Sequence, residues 1–164
     1  MTDRPAAPDE LLRRLRPIPT YRDRPASTGA DVDGVDPDGD RVSVEVVDSK
    51  EPVVLLFLSS SCSGCAEFWT GATTLAESLG PTVRVVIVTQ GPDQEDIEAI
   101  AQLSAAAQGV EVVMSSQVYR TYQVAGPPFF VLVIGTEVRT EGVAWGLGDT
   151  ADLLRRALDA PAAR

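Results

Sequence analysis

The chain has 164 residues, a net charge of −10 and no His. Its length allows one domain with a hydrophobic core and is short for two; the missing His excludes Ser-His-Asp and Cys-His hydrolase chemistry within the chain and the common His-containing zinc sites. The first 24 residues take six Arg and four acids from totals of 14 basic and 24 acidic residues, leaving eight basic against twenty acidic in the remainder, a field that repels phosphate backbones and makes nucleic acid a poor partner.

Residues 1–28 hold Pro5, Pro8, Pro17, Pro19 and Pro25 and read as a flexible arm. Within it Asp9 to Arg16 (DELLRRLR) spells two helical turns before Pro17 stops them. This end is charged and lacks the apolar stretch of a secretory signal, so the sequence predicts a cytoplasmic protein. No apolar run, Val53 to Leu58 included, is longer than six residues, against about 18 for a membrane span.

The acids of DVDGVDPDGD, beginning at Asp31, invite a calcium reading, but the spacing fails: Val35 holds the fifth position counted from Asp31, and Arg41 stands where a loop begun at Asp36 needs Gly. Asp38-Gly39 reads instead as a hairpin turn leading into a strand with Val42, Val44 and Val46 on one face. After Lys50 strands and helices alternate. PVVLLFL is apolar on both faces, as a central strand should be, and runs into the segment SSSCSGC. A helix with Phe68, Ala72, Leu75, Ala76 and Leu79 on one face follows and ends at Gly80-Pro81. TVRVVIVT is a second buried strand. A helix opening at Pro92 with four acids in its first turns ends at Gly109. VEVVM is a short strand, SSQVYRTYQV a short helix, and GPPFFVLVIG and EVRTEGVAW are two strands around a turn. The last helix, DTADLLRRAL, has Asp149 as its expected N-cap. The order predicts an α/β domain over 29–160, with a central mixed β-sheet flanked by helices and a short tail at 161–164.

Cys62 and Cys65 are the only cysteines. Two thiols cannot close a four-cysteine metal site, and zinc would need carboxylate ligands or a second chain, so no metal is expected. Two readings remain, a redox pair and a pair of inert core thiols. The pair lies at a strand-to-helix junction and not on the apolar face of either element. There the first sulfur meets unpaired backbone N–H groups and the positive end of the helix dipole, which stabilise a thiolate. The second lies about one turn further on, placed to attack a mixed disulfide. Ser63 and Gly64 are small enough for the tight turn and leave the first sulfur approachable.

From about Asp31 to Leu158 the sequence resembles the thioredoxin-like superfamily, in particular its TlpA, ResA and MauD-like thiol-disulfide oxidoreductase branch. The resemblance rests on the DGDRVSVEVV hairpin, PVVLLFLSSSCSGC, the added helix and strand before the second half, and YQVAGPPFFVLVIG, where Val124, Gly126 and Pro128 follow a Val-x-Gly-x-Pro pattern. It implies a thioredoxin-like fold with an N-terminal β-hairpin extension and an inserted helix-strand unit. It also implies Cys62 as nucleophile, Cys65 as resolving thiol, and Pro128 as a cis-proline facing them. Ser61, Ser63, Gly64, Pro127 and Pro128 would then contact substrate. No cofactor is implied beyond the cysteine pair; the partners are a protein or small-molecule disulfide and a second redox protein. Three departures stand out: Ser61 replaces the Trp of thioredoxins proper, Ser63-Gly64 replaces Gly-Pro, and Leu56 occupies the place of a buried acid. Glu67 is close in sequence, but a first-turn acid is equally explained by the helix dipole. Relatives of this branch are often exported and tethered, which leaves an extracytoplasmic origin open.

Two competing functions use the same residues. Ser59, three before Cys62, suits a peroxiredoxin-like peroxidase, although the upstream Pro of that group is missing from LLFLSSSC. A thioredoxin-fold binding module would use the Pro128 groove without turnover. Trp69 and Trp145 read as packing residues, and Arg120 and Arg139 as solvated ones.

Overall fold

The computed structural model of the chain describes residues 28–161; the Asp9–Arg16 helix expected in the arm lies outside the described residues. The expected alternation is present. In order come β1 (Val32–Val35), β2 (Arg41–Val44), β3 (Val53–Phe57), a 3-10 turn (Ser63–Cys65), α1 (Ala66–Leu79), β4 (Arg84–Thr89), α2 (Ile97–Ala106), β5 (Glu111–Met114), α3 (Ser116–Thr121), β6 (Phe129–Ile134), β7 (Glu137–Val143) and α4 (Leu147–Asp159). They build a seven-stranded sheet ordered β2-β1-β5-β4-β3-β6-β7. β3, β4 and β5 are parallel because α1 and α2 serve as their crossovers; β6, β7 and the β1–β2 hairpin pair antiparallel. The expected mixed sheet, hairpin extension and inserted helix-strand unit are all in place.

β3 sits between β4 and β6 with every residue buried. Its period of two splits the core. Val54, Leu56 and the following Leu58 join Phe68, Trp69, Ala72 and Leu75 of α1, Ile100 of α2 and Leu154 of α4 on one face. Val53, Leu55 and Phe57 join Val86, Val88, Val131 and the α3 side chains Val118 and Tyr119, with Tyr122, on the other.

Asp31 and Asp36 of the hairpin bond backbone N–H groups. Asp31 accepts from the N–H groups of Val46 and Val47 at 2.8 and 2.9 Å, and these bonds hold its carboxyl below the usual range. Asp36 accepts from the N–H groups of Asp38 and Asp40 at 2.9 and 3.0 Å around the turn in which Gly39 has φ 90°. Among the described residues no three His, Cys, Asp or Glu side chains gather where they could hold a metal, and no helix is long and apolar enough to cross a membrane.

Two helix starts differ from expectation. α2 begins at Ile97, with Asp96 as N-cap accepting from the Glu98 N–H at 3.0 Å; the acids upstream belong to a loop. α4 begins at Leu147 behind Gly146, so Asp149 lies in its first turn without capping it. There its charge still complements the helix dipole. At the other boundary Thr28, counted with the arm, bridges Glu137 of β7.

Tyr119 and Tyr122 fix the α3 side. The Tyr119 hydroxyl donates to the Leu58 carbonyl at 2.7 Å, and the Tyr122 hydroxyl donates to the Ala30 carbonyl at 2.6 Å while accepting from the Ala30 N–H at 2.7 Å. Burial raises both phenols above their ordinary value of 10.0, with Glu95 adding to the rise at Tyr119 and Asp31 at Tyr122. A raised phenol means that the native state binds more protons than the unfolded chain at alkaline pH. The stabilisation is therefore complete below the unfolded value near 10 and is lost as pH climbs toward the native values. Urea unfolding midpoints should fall between pH 9.5 and 11, and Tyr119→Phe should flatten that fall; an unchanged slope in the variant would contradict this account. Phe57, fully buried and edge-on to Tyr119 at 5.0 Å between ring centroids, should cost about 3–5 kcal/mol when replaced by Ala. An unfolding free energy lowered by less than about 1 kcal/mol would count against that packing role.

Candidate active site

Where β3 ends, its backbone is held from both faces. Tyr119 bonds the Leu58 carbonyl from the α3 side, and the Trp69 indole N–H donates to the Ser59 carbonyl at 3.3 Å from the α1 side. Between these anchors and α1 lie Ser59 to Cys65, and the turn begins at Cys62, with the Cys65 N–H bonded to the Cys62 carbonyl at 3.1 Å. No side chain caps this turn, so its first N–H groups and the positive helix end are left to Cys62.

Cys62 and Cys65 form a disulfide with 5.3 Å between their Cα atoms. They are not equivalent. Cys65 is completely buried among Leu56, Phe68 and Trp69, whereas Cys62 is only partly buried and faces a cleft of about 550 Å³. All the expected contact residues line that cleft: Ser61, Ser63 and Gly64 on one wall, Pro127 and Pro128 on the other. The Pro127–Pro128 peptide bond is cis. Cys62 Sγ lies 3.6 Å from the Pro127 carbonyl oxygen; in the disulfide the sulfur has no proton to donate, so this is a contact, and it becomes a hydrogen-bond geometry only for the thiol. Gly64 packs toward the same wall, since a Cβ built on it would lie 3.6 Å from Pro128 Cδ.

Sequence reading overlooked several residues here. Gln90 and Tyr119 also line the cleft and are shared with an adjoining polar groove of about 320 Å³ formed with Asp93, Ser116, Arg120 and Gln123. Glu95 is buried beneath the Ser59–Ser61 segment. It accepts from the Ser59 hydroxyl at 2.6 Å, the Ser60 hydroxyl at 2.5 Å and the Ser60 N–H at 3.3 Å. Its only sequence signal is membership of an acidic run, which a helix start explains equally well. The tryptophans divide: Trp69 is buried as expected, but Trp145 is 63% exposed and is not a packing residue. Arg120 is exposed as expected; Arg139 is half-buried, its guanidinium bonded to the Ala160 carbonyl at 3.3 Å and its Nε buried without a partner. Glu67 is exposed in the first turn of α1, near Gly146.

No family model and no curated protein matches this sequence. Its fold does match solved structures. A thiol:disulfide interchange protein of the thioredoxin family from Chlorobium tepidum TLS superposes with a TM-score of 0.66 at 14% identity, over 84% of this chain and 99% of that one. A second Chlorobium tepidum protein, described as a putative thiol:disulfide interchange protein DsbE, gives 0.64 at 19% identity over 82% and 95%. A secreted Mycobacterium tuberculosis disulfide oxidoreductase homologous to E. coli DsbE gives 0.59 at 16% identity over 79% and 96%. Identities this low carry architecture, and on that ground the chain is a thioredoxin-fold protein whose two cysteines occupy the turn between a central strand and its helix.

Proposed function

We propose that the protein is a thiol-disulfide oxidoreductase in which Cys62 attacks and Cys65 resolves. The observation that carries this reading is the asymmetry of the pair: one sulfur at an open cleft and the other sealed in the core, linked across a single turn. In the reduced protein the Cys62 thiolate attacks one sulfur of a substrate disulfide. A Cys62–substrate bond forms, the substrate S–S bond breaks, and the leaving thiolate takes a proton. Cys65, deprotonated, then attacks Cys62 Sγ, closing the 62–65 disulfide and expelling the second substrate thiolate, which is protonated in turn. The substrate gains two electrons and two protons, and a dithiol redox partner must return them to the pair. No cofactor enters these steps.

The uncapped turn at Cys62 supports thiolate formation, and the Pro127 carbonyl can accept from the thiol form. Ser61, Ser63, Gly64, Pro127 and Pro128 would bound the substrate segment, which in extended form can pair with backbone ahead of Pro128. The accessibility of Cys62 weighs against a binding module with inert thiols. We take 29–160 as the catalytic unit, with the 1–28 arm accessory to it. In a reducing cytoplasm the pair would be held as an electron donor; in the kind of location named for the secreted mycobacterial protein it would more readily be held oxidised.

Reduction of a protein disulfide by dithiothreitol-regenerated enzyme tests this reading. Cys62→Ser should reduce the rate at least about 1000-fold, whereas Cys65→Ser should stop turnover yet accumulate a Cys62–substrate mixed disulfide visible by mass spectrometry. Equal rates in wild type and Cys62→Ser would sink the proposal.

A further inference from the structure

We propose that Glu95 is a positioning residue that sets the thiol chemistry of Cys62 through a Ser59–Ser61 hydroxyl chain, biasing the pair toward electron donation. The inference rests on the oxidoreductase reading and concerns the direction of that reaction.

A carboxylate only accepts hydrogen bonds, and a serine hydroxyl has one proton to give. Ser59 gives its proton to Glu95 Oε1 at 2.6 Å. Toward Ser61 it is then an acceptor only, taking the Ser61 N–H at 3.2 Å and leaving the 3.2 Å contact between the two hydroxyls to be donated by Ser61. The Ser61 proton is thereby turned back toward Ser59. At the cleft, beside Cys62, Ser61 presents lone pairs.

Two consequences follow for Cys62. With its proton directed to Ser59, Ser61 is held back from donating to a thiolate in the cleft they share, and a negative charge stands two hydroxyls away. Both oppose thiolate formation, while the uncapped helix start favours it. Of the other charged or titratable groups nearby, Tyr119 of α3 lines the cleft, Arg120 of α3 and Asp93, whose carboxylate accepts from the Ser116 hydroxyl at 2.6 Å, line the adjoining groove, and Glu67 lies in the first turn of α1. A less stable thiolate makes the reduced pair easier to oxidise, which is a lower reduction potential.

The test compares wild type, Glu95→Gln, Ser59→Ala and Ser60→Ala, each checked for folding by circular dichroism. The readouts are the pH profile of iodoacetamide alkylation at Cys62 and the equilibrium of the pair with glutathione buffers. Glu95→Gln removes the charge, and Ser59→Ala frees the Ser61 proton for the cleft. Both should move the alkylation profile to lower pH and shift the equilibrium about tenfold toward the dithiol, equivalent to about 30 mV. Ser60→Ala removes a Glu95 partner outside the hydroxyl chain and should leave both readouts within twofold. Folded Glu95→Gln with unchanged profile and potential would overturn the proposal, as would an equal shift in Ser60→Ala, which would mean that Glu95 merely holds the loop. If Glu95→Gln does not fold, Ser59→Ala decides by the same criteria. Both readouts concern the pair itself, so they stand apart from disulfide turnover, whose failure would remove the oxidoreductase reading instead.

Discussion

Where β3 leaves the sheet, the Leu58 carbonyl is held by the Tyr119 hydroxyl and the Ser59 carbonyl by the Trp69 indole, one from each face. The need for these anchors arises in the strand itself. Five consecutive buried residues keep β3 at the centre of the sheet, but the segment after it must become polar and still start a helix within a few residues. A buried backbone group without a partner costs about as much as a lost hydrogen bond. Anchors from opposite layers therefore do two things at once. They satisfy the exit carbonyls, and they tie the cysteine turn to both halves of the core, so its position follows from packing in both layers.

The parts of the molecule written into local pattern were readable without coordinates. The unbroken Val53–Leu58 run has the double-sided apolar pattern of a central strand, and a small-residue turn holding two thiols directly behind it has few uses. The place of Pro128 came from its surroundings in a family pattern. What escaped was whatever depends on residues far apart in the chain. Glu95 meets Ser59 across 36 positions, and Tyr119 meets Leu58 across 61. In sequence Glu95 is one of four acids around a helix start, and nothing local separates it from Asp96, which does cap that helix. Trp145 was misread for the related reason that burial of an aromatic at a strand end is decided by neighbouring loops.

Leu56 stands where the thioredoxin resemblance places a buried acid, and the buried carboxylate among the described residues lies elsewhere. Leu56 lies in the apolar cluster with Cys65, Phe68 and Leu132, where an unpaired carboxylate would be expensive. The chain keeps that layer apolar. Its buried carboxylate sits in the loop after β4, where two hydroxyls and an amide compensate it. The described buried carboxylate therefore stands on the Ser59–Ser61 side of the cysteine turn and not in the apolar layer around Cys65.

The rims of the sheet carry a consequence of a different kind. On one side β2 is only four residues long and begins with exposed Arg41. On the other, the outer side of β7 is partly taken: Thr28 bridges Glu137, the Gly29 N–H bonds the Thr136 carbonyl at 2.8 Å, and the pairing with β6 slips at Leu132/Val133. Both rims are interrupted, one by its shortness and the other by a bridge at its start and a register slip, and long flat ladders are what let one molecule template the stacking of the next. Short and interrupted rims of this kind guard a sheet against pairing with another copy of itself.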